Sequence, residues 1–220
     1  LAIDVGNSTT VVAFQGEQDQ TIKLLELSPL SRSPGEVPSV VWCSSSNSPY
    51  KAVGNEISKF NLSSDSNSCL RTDFKRWICA PNETAIQESL LSPKQAGEIL
   101  IHEIWAHIPK NLDIQRLVLT APVETYREYR SWLINVCSEL DVKEIALVDE
   151  PTAAAMGAGL SSGSKLLVVD IGGSTIDMSV VALEGGEGKA EPVAQLLRFA
   201  GDNLEGKSNQ AFRCAKVLGK

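Results

Sequence analysis

The chain has 220 residues, 43% hydrophobic and 21% charged, the composition of a soluble globular protein with room for one large or two smaller domains. A formal net charge of −7 and a pI near 5.0 disfavour general binding to nucleic acid or to anionic membranes. No apolar run approaches the roughly 20 residues that a membrane-crossing helix needs. The five cysteines (Cys43, Cys69, Cys79, Cys137 and Cys214) are odd in number and contain no Cys-x-x-Cys pair, which fits free thiols in a reducing, cytoplasmic compartment.

Leu1-Ala2-Ile3 opens as a strand with no leader peptide and no Met, so the chain reads as trimmed at its start. The strand runs into Asp4-Val5-Gly6-Asn7-Ser8-Thr9-Thr10, and Val11 to Phe14 follow as a second strand. This pattern predicts a β-hairpin whose glycine turn leaves backbone N–H groups free to form a phosphate-sized concavity. Thr21–Leu27 reads as a third strand, Ser28–Pro38 as a proline-rich loop, and Ser39–Trp42 as a short buried strand. A polar turn over Ser44–Pro49 precedes a strand at Tyr50–Val53, and Gly54-Asn55-Glu56 caps a short helix to Phe60. Asn61–Ser68 reads as a surface loop. From spacing alone, Leu70–Ile78 is a solvated basic turn anchored by Phe74 and Trp77. The alternative is a cation delivered to a phosphate site.

Ser92-Pro93 is a helix start, with Ser as cap and Pro in the first turn. Ala96, Ile99, Leu100, Glu103, Ile104 and His107 then fall on one helical stripe, read as core, and Pro109 ends the helix. His102 and His107 stand five apart, which is not a metal-binding step on a helix, so packing is the expected role of both. Leu112–Thr120 reads as a strand, Glu124–Leu140 as a helix and Ile145–Val148 as a strand. Asp149-Glu150-Pro151-Thr152 opens a helix of small residues through Ala158, suited to close backbone packing, and Ser161–Ser164 links onward.

The first pattern then returns. An apolar run, Leu166 to Val169, leads into Asp170-Ile171-Gly172-Gly173-Ser174-Thr175-Ile176-Asp177, and Met178 to Leu183 follows. A lone Gly-Ser-Thr turn is usually just a turn. Two copies in matching contexts point to two related half-domains that each offer a phosphate-gripping hairpin to a shared cleft. The aspartates beside the glycines repel a bare phosphate, so the pattern calls for a hard cation such as Mg²⁺. Gly201-Asp202-Asn203-Leu204-Glu205-Gly206-Lys207-Ser208 also fits the phosphate-loop pattern, followed by a helical stretch over Asn209–Leu218. Its acidic loop residues crowd a phosphate, which ranks it behind the hairpins.

Ile3-Asp4-Val5-Gly6-Asn7-Ser8, Val148–Ala155 and Val169–Asp177 occur in an order and spacing that resemble the two phosphate loops and connecting helix of the actin, sugar-kinase and heat-shock ATPase superfamily. Within it, Glu150-Pro151-Thr152-Ala153-Ala154-Ala155, Val37-Pro38-Ser39, Val53-Gly54-Asn55 and Phe74-Lys75-Arg76-Trp77-Ile78 look most like the 70-kDa heat-shock chaperones. Asn7 and Ser8 stand where family members commonly carry two threonines, and Ser174 replaces a third glycine.

The resemblance implies an α/β actin-like ATPase fold, ribonuclease-H-like, with a mixed sheet and flanking helices. Residues 1–162 would be the first lobe, with about 28–110 as an inserted subdomain and its connecting helix. Residues 163–220 would begin a second, truncated lobe. It implies ATP or ADP with Mg²⁺ as cofactors. Asp4 and Asp170 would hold the metal shell. Gly6, Asn7 and Ser8 would grip one side of the phosphates, and Gly172, Gly173, Ser174 and Thr175 the other. Lys75 would approach the γ-phosphate, Glu150 and Asp177 would orient water or metal, and Pro122 and Arg130 would relay nucleotide state. It further implies an ATPase in the full-length protein, with unfolded polypeptides and co-chaperones as partners reached through regions outside this chain. A small-molecule kinase and a non-hydrolysing nucleotide-binding scaffold or filament protein are the alternatives.

Overall fold

The computed structural model describes residues 1–19, 21–44, 51–62, 68–79, 91–123, 126–159, 164–173, 176–183 and 215–219. Two compact units divide the chain. The first holds Leu1–Ile114 and Ser131–Asp141, the second Gln115–Arg130 and Val142–Lys220.

In the first unit, β1 (Ala2–Val5) and β2 (Thr9–Phe14) form an antiparallel hairpin. Alternation along the strands sends Ile3, Val5 and Val12 into the core and leaves Asp4 exposed. The other side of β2 is taken by two short strands, β3 (Lys23–Leu24) and β4 (Glu36–Pro38). The expected third strand over Thr21–Leu27 is therefore only two residues long, since β2 offers just Ala13 and Phe14 to it. The proline-rich loop ends as a strand because Val37 and Glu36 find partners on β2, with Pro38 at the strand's last position. Gly35 makes the turn possible. Its φ is +75°, and a β-carbon there would meet the Leu24 side chain at 2.8 Å.

Next come β5 (Val40–Ser44), β6 (Lys51–Val53) and β7 (Ser68–Thr72), an antiparallel sheet in the order β6-β5-β7. The expected basic turn over Leu70–Ile78 thus starts as a strand. Its short alternation of Ser, Cys, Leu, Arg and Thr carries little apolar signal, and the free edge of β5 supplies the pairing instead. Helix α1 (Asn55–Lys59) follows Gly54, which has a φ of +63°. A single 3-10 turn, Lys75–Trp77, follows β7. Helix α2 (Pro93–Ala106) begins on a capping box. The Ser92 hydroxyl accepts from the Gln95 N–H, and the Gln95 side chain accepts from the Ser92 N–H. It buries Ala96, Gly97, Leu100, Ile101 and Ile104. Trp132, on helix α3 (Tyr126–Cys137), lies so close to Gly97 that a β-carbon there would stand 2.7 Å from its ring.

In the second unit, β8 (Arg116–Ala121) and β9 (Glu144–Asp149) pair in parallel, from Arg116 opposite Glu144 to Ala121 opposite Asp149. Leu117, Leu119, Ala146 and Leu147 are buried. Helix α4 (Glu150–Gly157) starts where the Asp149 carboxylate accepts the Thr152 N–H at 2.9 Å. Then β10 (Lys165–Ile171), β11 (Ile176–Leu183) and β12 (Ala215–Gly219) form an antiparallel sheet in chain order. The expected helix over Asn209–Leu218 is corrected here: Ala215–Gly219 is a strand along the edge of β11. The small residues of α4 serve the close packing read from them, with Ala155 in a buried cluster with Val181 and Leu183, flanked by Met156, Leu166 and Val168. Antiparallel hairpins, a parallel pair and flanking helices make this the α/β fold with mixed strand pairing that the sequence implied. Among the described residues no helix is long and apolar enough to cross a membrane.

Candidate functional site

The ladders of the two glycine hairpins close in the same register. In the first, the ladder closes at Val5 opposite Thr10 and leaves Gly6, Asn7, Ser8 and Thr9 as a four-residue loop. In the second it closes at Ile171 opposite Ile176 and leaves Gly172, Gly173, Ser174 and Thr175. Asp4 and Asp170 occupy the same register position, one residue before each closing pair. Opposite them the hairpins differ: Asp4 faces Val11, whereas Asp170 faces Asp177.

The first loop is fixed from several sides within its unit. A β-carbon on Gly6 would stand 2.3 Å from the Thr9 carbonyl oxygen, so the loop closes only around glycine. The Ser39 N–H donates to the Ser8 carbonyl at 2.9 Å, and the buried hydroxyls of Thr10 and Ser39 are hydrogen-bonded at 2.9 Å. The Asn7 carboxamide oxygen accepts the Arg76 N–H at 3.0 Å, which ties the loop to the 3-10 turn carrying Lys75. Two residues that sit far apart in sequence are thus joined by the Asn7 side chain.

The turn itself is anchored beneath and beside. Phe74 is fully buried under it, and the Trp77 N–H donates to the Phe74 carbonyl at 3.0 Å. The Arg76 guanidinium pairs with the Asp73 carboxylate at 2.7 Å and lies 4.8 Å from the centre of the Trp77 ring. Arg76 is thus occupied by its neighbours, while Lys75 is half-buried beside it.

In the second loop Gly172 and Gly173 are exposed; Ser174 and Thr175 lie outside the described residues. Asp170 is exposed and Asp177 half-buried. Like charges directly opposite on an antiparallel pair are unfavourable by themselves. This pair of hard oxygen donors beside a glycine loop suits a hydrated, oxygen-seeking cation such as Mg²⁺, so the residues present fit that metal. Glu150 stands half-buried in the first turn of α4, just after the Asp149 cap. Pro122 follows the end of β8, and Arg130 is half-buried on α3.

Of the predicted residues, the structure brings together Asn7 and the Lys75 turn in one unit, and Asp170 and Asp177 in the other. Thr10 and Ser39 are supports that the residue pattern did not mark; their buried hydroxyls meet only because β4 pairs with β2 and brings Ser39, the residue after it, beside Thr10. His102 and His107 have hydrogen-bonding roles, His102 Nε2 with the Val136 carbonyl at 3.1 Å and His107 Nδ1 with the Glu103 carbonyl at 2.8 Å. Glu98, His102 and Glu139 also bring ligand-type atoms within 4.8 Å of one another. The sequence signal for that grouping is the four-residue step from Glu98 to His102 rather than the histidine pair. The Gly201–Ser208 segment lies outside the described residues.

A family model described as MreB/Mbl protein matches residues 35–213. The chain belongs to this family, within the actin-like ATPase superfamily. The match takes in the Lys75 turn, α4 and the second hairpin. The chain is also similar to Chaperone protein DnaK of Metamycoplasma hominis, 27% identical over 211 residues that cover 92% of this chain and 32% of that protein. Chaperone protein DnaK of Thermosipho melanesiensis is 26% identical over 210 residues, 92% of this chain and 33% of that protein. Chaperone protein HscA homolog of Shewanella putrefaciens is 31% identical over 123 residues, 54% of this chain and 19% of that protein. The chain spans about a third of the length of the DnaK relatives that it matches.

Proposed function

We propose that this chain is part of the ATP-binding and ATP-hydrolysing domain of a heat-shock-type chaperone, in which nucleotide state controls the binding of unfolded polypeptide. The observation that carries the reading is the equal register of the two glycine hairpins, each with an aspartate one residue before its closing pair. Similarity to DnaK over most of the chain supports the chaperone side of it. In this reading the loop amides at Gly6, Asn7 and Ser8 grip one side of the phosphates. Gly172, Gly173, Ser174 and Thr175 grip the other. Asp4 and Asp170 would hold Mg²⁺, which would supply positive charge to offset that of the phosphate oxygens. Lys75 brings a cation toward the γ-phosphate, while Glu150 and Asp177 orient the attacking water. Pro122 and Arg130 pass nucleotide state to the client-binding part, and the full-length protein works with co-chaperones in the cytoplasm. Phosphoryl transfer to water needs positioning and charge neutralisation more than covalent help, which is what such a residue set provides.

The test is ATP turnover by the full-length protein with and without Lys75→Ala. Loss of one stabilising donor at a developing charge lowers the rate by about 100-fold or more. Turnover equal to the unsubstituted protein would remove Lys75 from the mechanism. The MreB/Mbl match supports a second reading, a nucleotide-binding scaffold that assembles without turnover. Light scattering on ATP addition with no phosphate release would select it.

A further inference from the structure

We propose that Cys43 and Cys69 are a reversible redox pair, a modification site at which a low-molecular-weight disulfide such as oxidised glutathione converts two thiols into one cross-strand cystine.

The argument begins with register. On antiparallel β5 and β7, Cys43 stands directly opposite Cys69. Residues opposed in this way point to the same face, with α-carbons about 4.5 or 5.5 Å apart depending on the kind of pair. Both separations fall inside the roughly 4.4–6.8 Å window that a disulfide spans. Register alone thus sets the two thiols on one face at a backbone spacing that a disulfide can bridge.

The two thiols are unequal, which gives the reaction an order. Cys43 is 8% exposed, while Cys69 is half-buried. Burial pushes the Cys43 thiol above its ordinary range and the adjacent Cys69 adds to this, with Lys51 and Arg71 pulling the other way. Lys51 is the residue opposite Cys43 on β6, and Arg71 pairs two positions along β7. Cys43 is therefore shielded from reagents in solution and reacts best with a sulfur placed beside it.

Cys69, as thiolate, attacks one sulfur of the small disulfide. The reagent's S–S bond breaks, and one thiolate leaves and takes up a proton. The product is a mixed disulfide on Cys69. Cys43 then gives up its proton and attacks the Cys69 sulfur, expelling the second small thiol. Two protein thiols are oxidised, one small disulfide is reduced to two thiols, and two protons pass from protein to leaving groups. The cystine joins β5 to β7 just before β7 runs into the turn that carries Lys75. The pairing itself does not depend on the nucleotide reading.

In the test, reduced protein is incubated with oxidised glutathione, quenched by alkylation under unfolding conditions, digested and read by mass spectrometry. The expected product is a peptide linked through Cys43 and Cys69, reversed by dithiothreitol, with Cys79 and Cys137 alkylated. Cys43→Ser should stop at the glutathione adduct on Cys69, and Cys69→Ser should leave Cys43 free to alkylate. A stable glutathione adduct on Cys69 of the unsubstituted protein, with Cys43 alkylated, would overturn the proposal. So would linkage of either residue to a different cysteine. Should Cys43→Ser fail to fold, the unsubstituted digest and Cys69→Ser still decide the matter.

Discussion

Gly6 closes the first loop because Thr9 leaves no room for a β-carbon, and its neighbour Asn7 spends its side chain on Arg76 rather than on the loop itself. Single positions also set the chemistry of the core. Cys137 is buried at the end of α3, and burial pushes its thiol up to about 12 from an ordinary 9.0. Below pH 9.0 the thiol is protonated in both the folded and the unfolded chain, and its preference for the folded state is fully kept. As pH rises from there toward 12, the unfolded chain ionises first and stability is lost at about 1.4 kcal/mol per pH unit. Cys137→Ala removes this dependence. Urea unfolding at a series of pH values, compared between the two proteins, measures the difference, and parallel stability curves above pH 9.0 would show that Cys137 is not the cause.

Between elements, the hydrogen bond from Arg76 to Asn7 couples the first hairpin to the 3-10 turn. Asn7→Ala leaves the Arg76 N–H to water at that partly exposed site and costs about 0.5–1.5 kcal/mol. Its clearer readout is local: hydrogen exchange at the Arg76 amide should speed up several-fold, while amides in α2 keep their protection. Unchanged exchange at Arg76 would mean that the turn is held by Phe74 and Asp73 alone. This junction was half legible. The glycine loop and the Phe74–Ile78 segment could each be read from residues, but the register that makes Asn7 the link could not. Helix α2 was legible almost to the residue, because Ser92, Pro93 and Gln95 are local signals that act on their own backbone. Strands β4, β7 and β12 were not, since each exists because a neighbour offers it an edge. Their own residues carry weak strand preference, and tertiary pairing decides.

For the molecule as a whole, the second unit carries a face that its sequence did not announce. The runs Leu166–Val169 and Met178–Leu183 read as apolar strands, broken only by Ser179, yet among the described residues only one side of the hairpin is covered. Leu166, Val168, Val181 and Leu183 pack with α4. On the other side Leu167 faces Val180, Val169 faces Met178 and Ile171 faces Ile176, three apolar pairs in a row. These six are exposed, Leu167 at 64% and Ile171 at 74%. A contiguous apolar ladder of this kind is unusual on an isolated monomer and promotes association. The 220-residue chain should therefore bind a hydrophobic dye strongly in its folded state and scatter light increasingly with concentration. Leu167→Lys with Met178→Glu places opposite charges on diagonal neighbours of the ladder, which are within reach of each other. The double variant should lose most of the dye signal and the scattering while its urea midpoint shifts by no more than about 0.5 kcal/mol, the usual range for surface sites. Undiminished dye binding would place the responsible surface elsewhere, and a collapse in stability would mean that Leu167 and Met178 are held by contacts in solution that this face does not display.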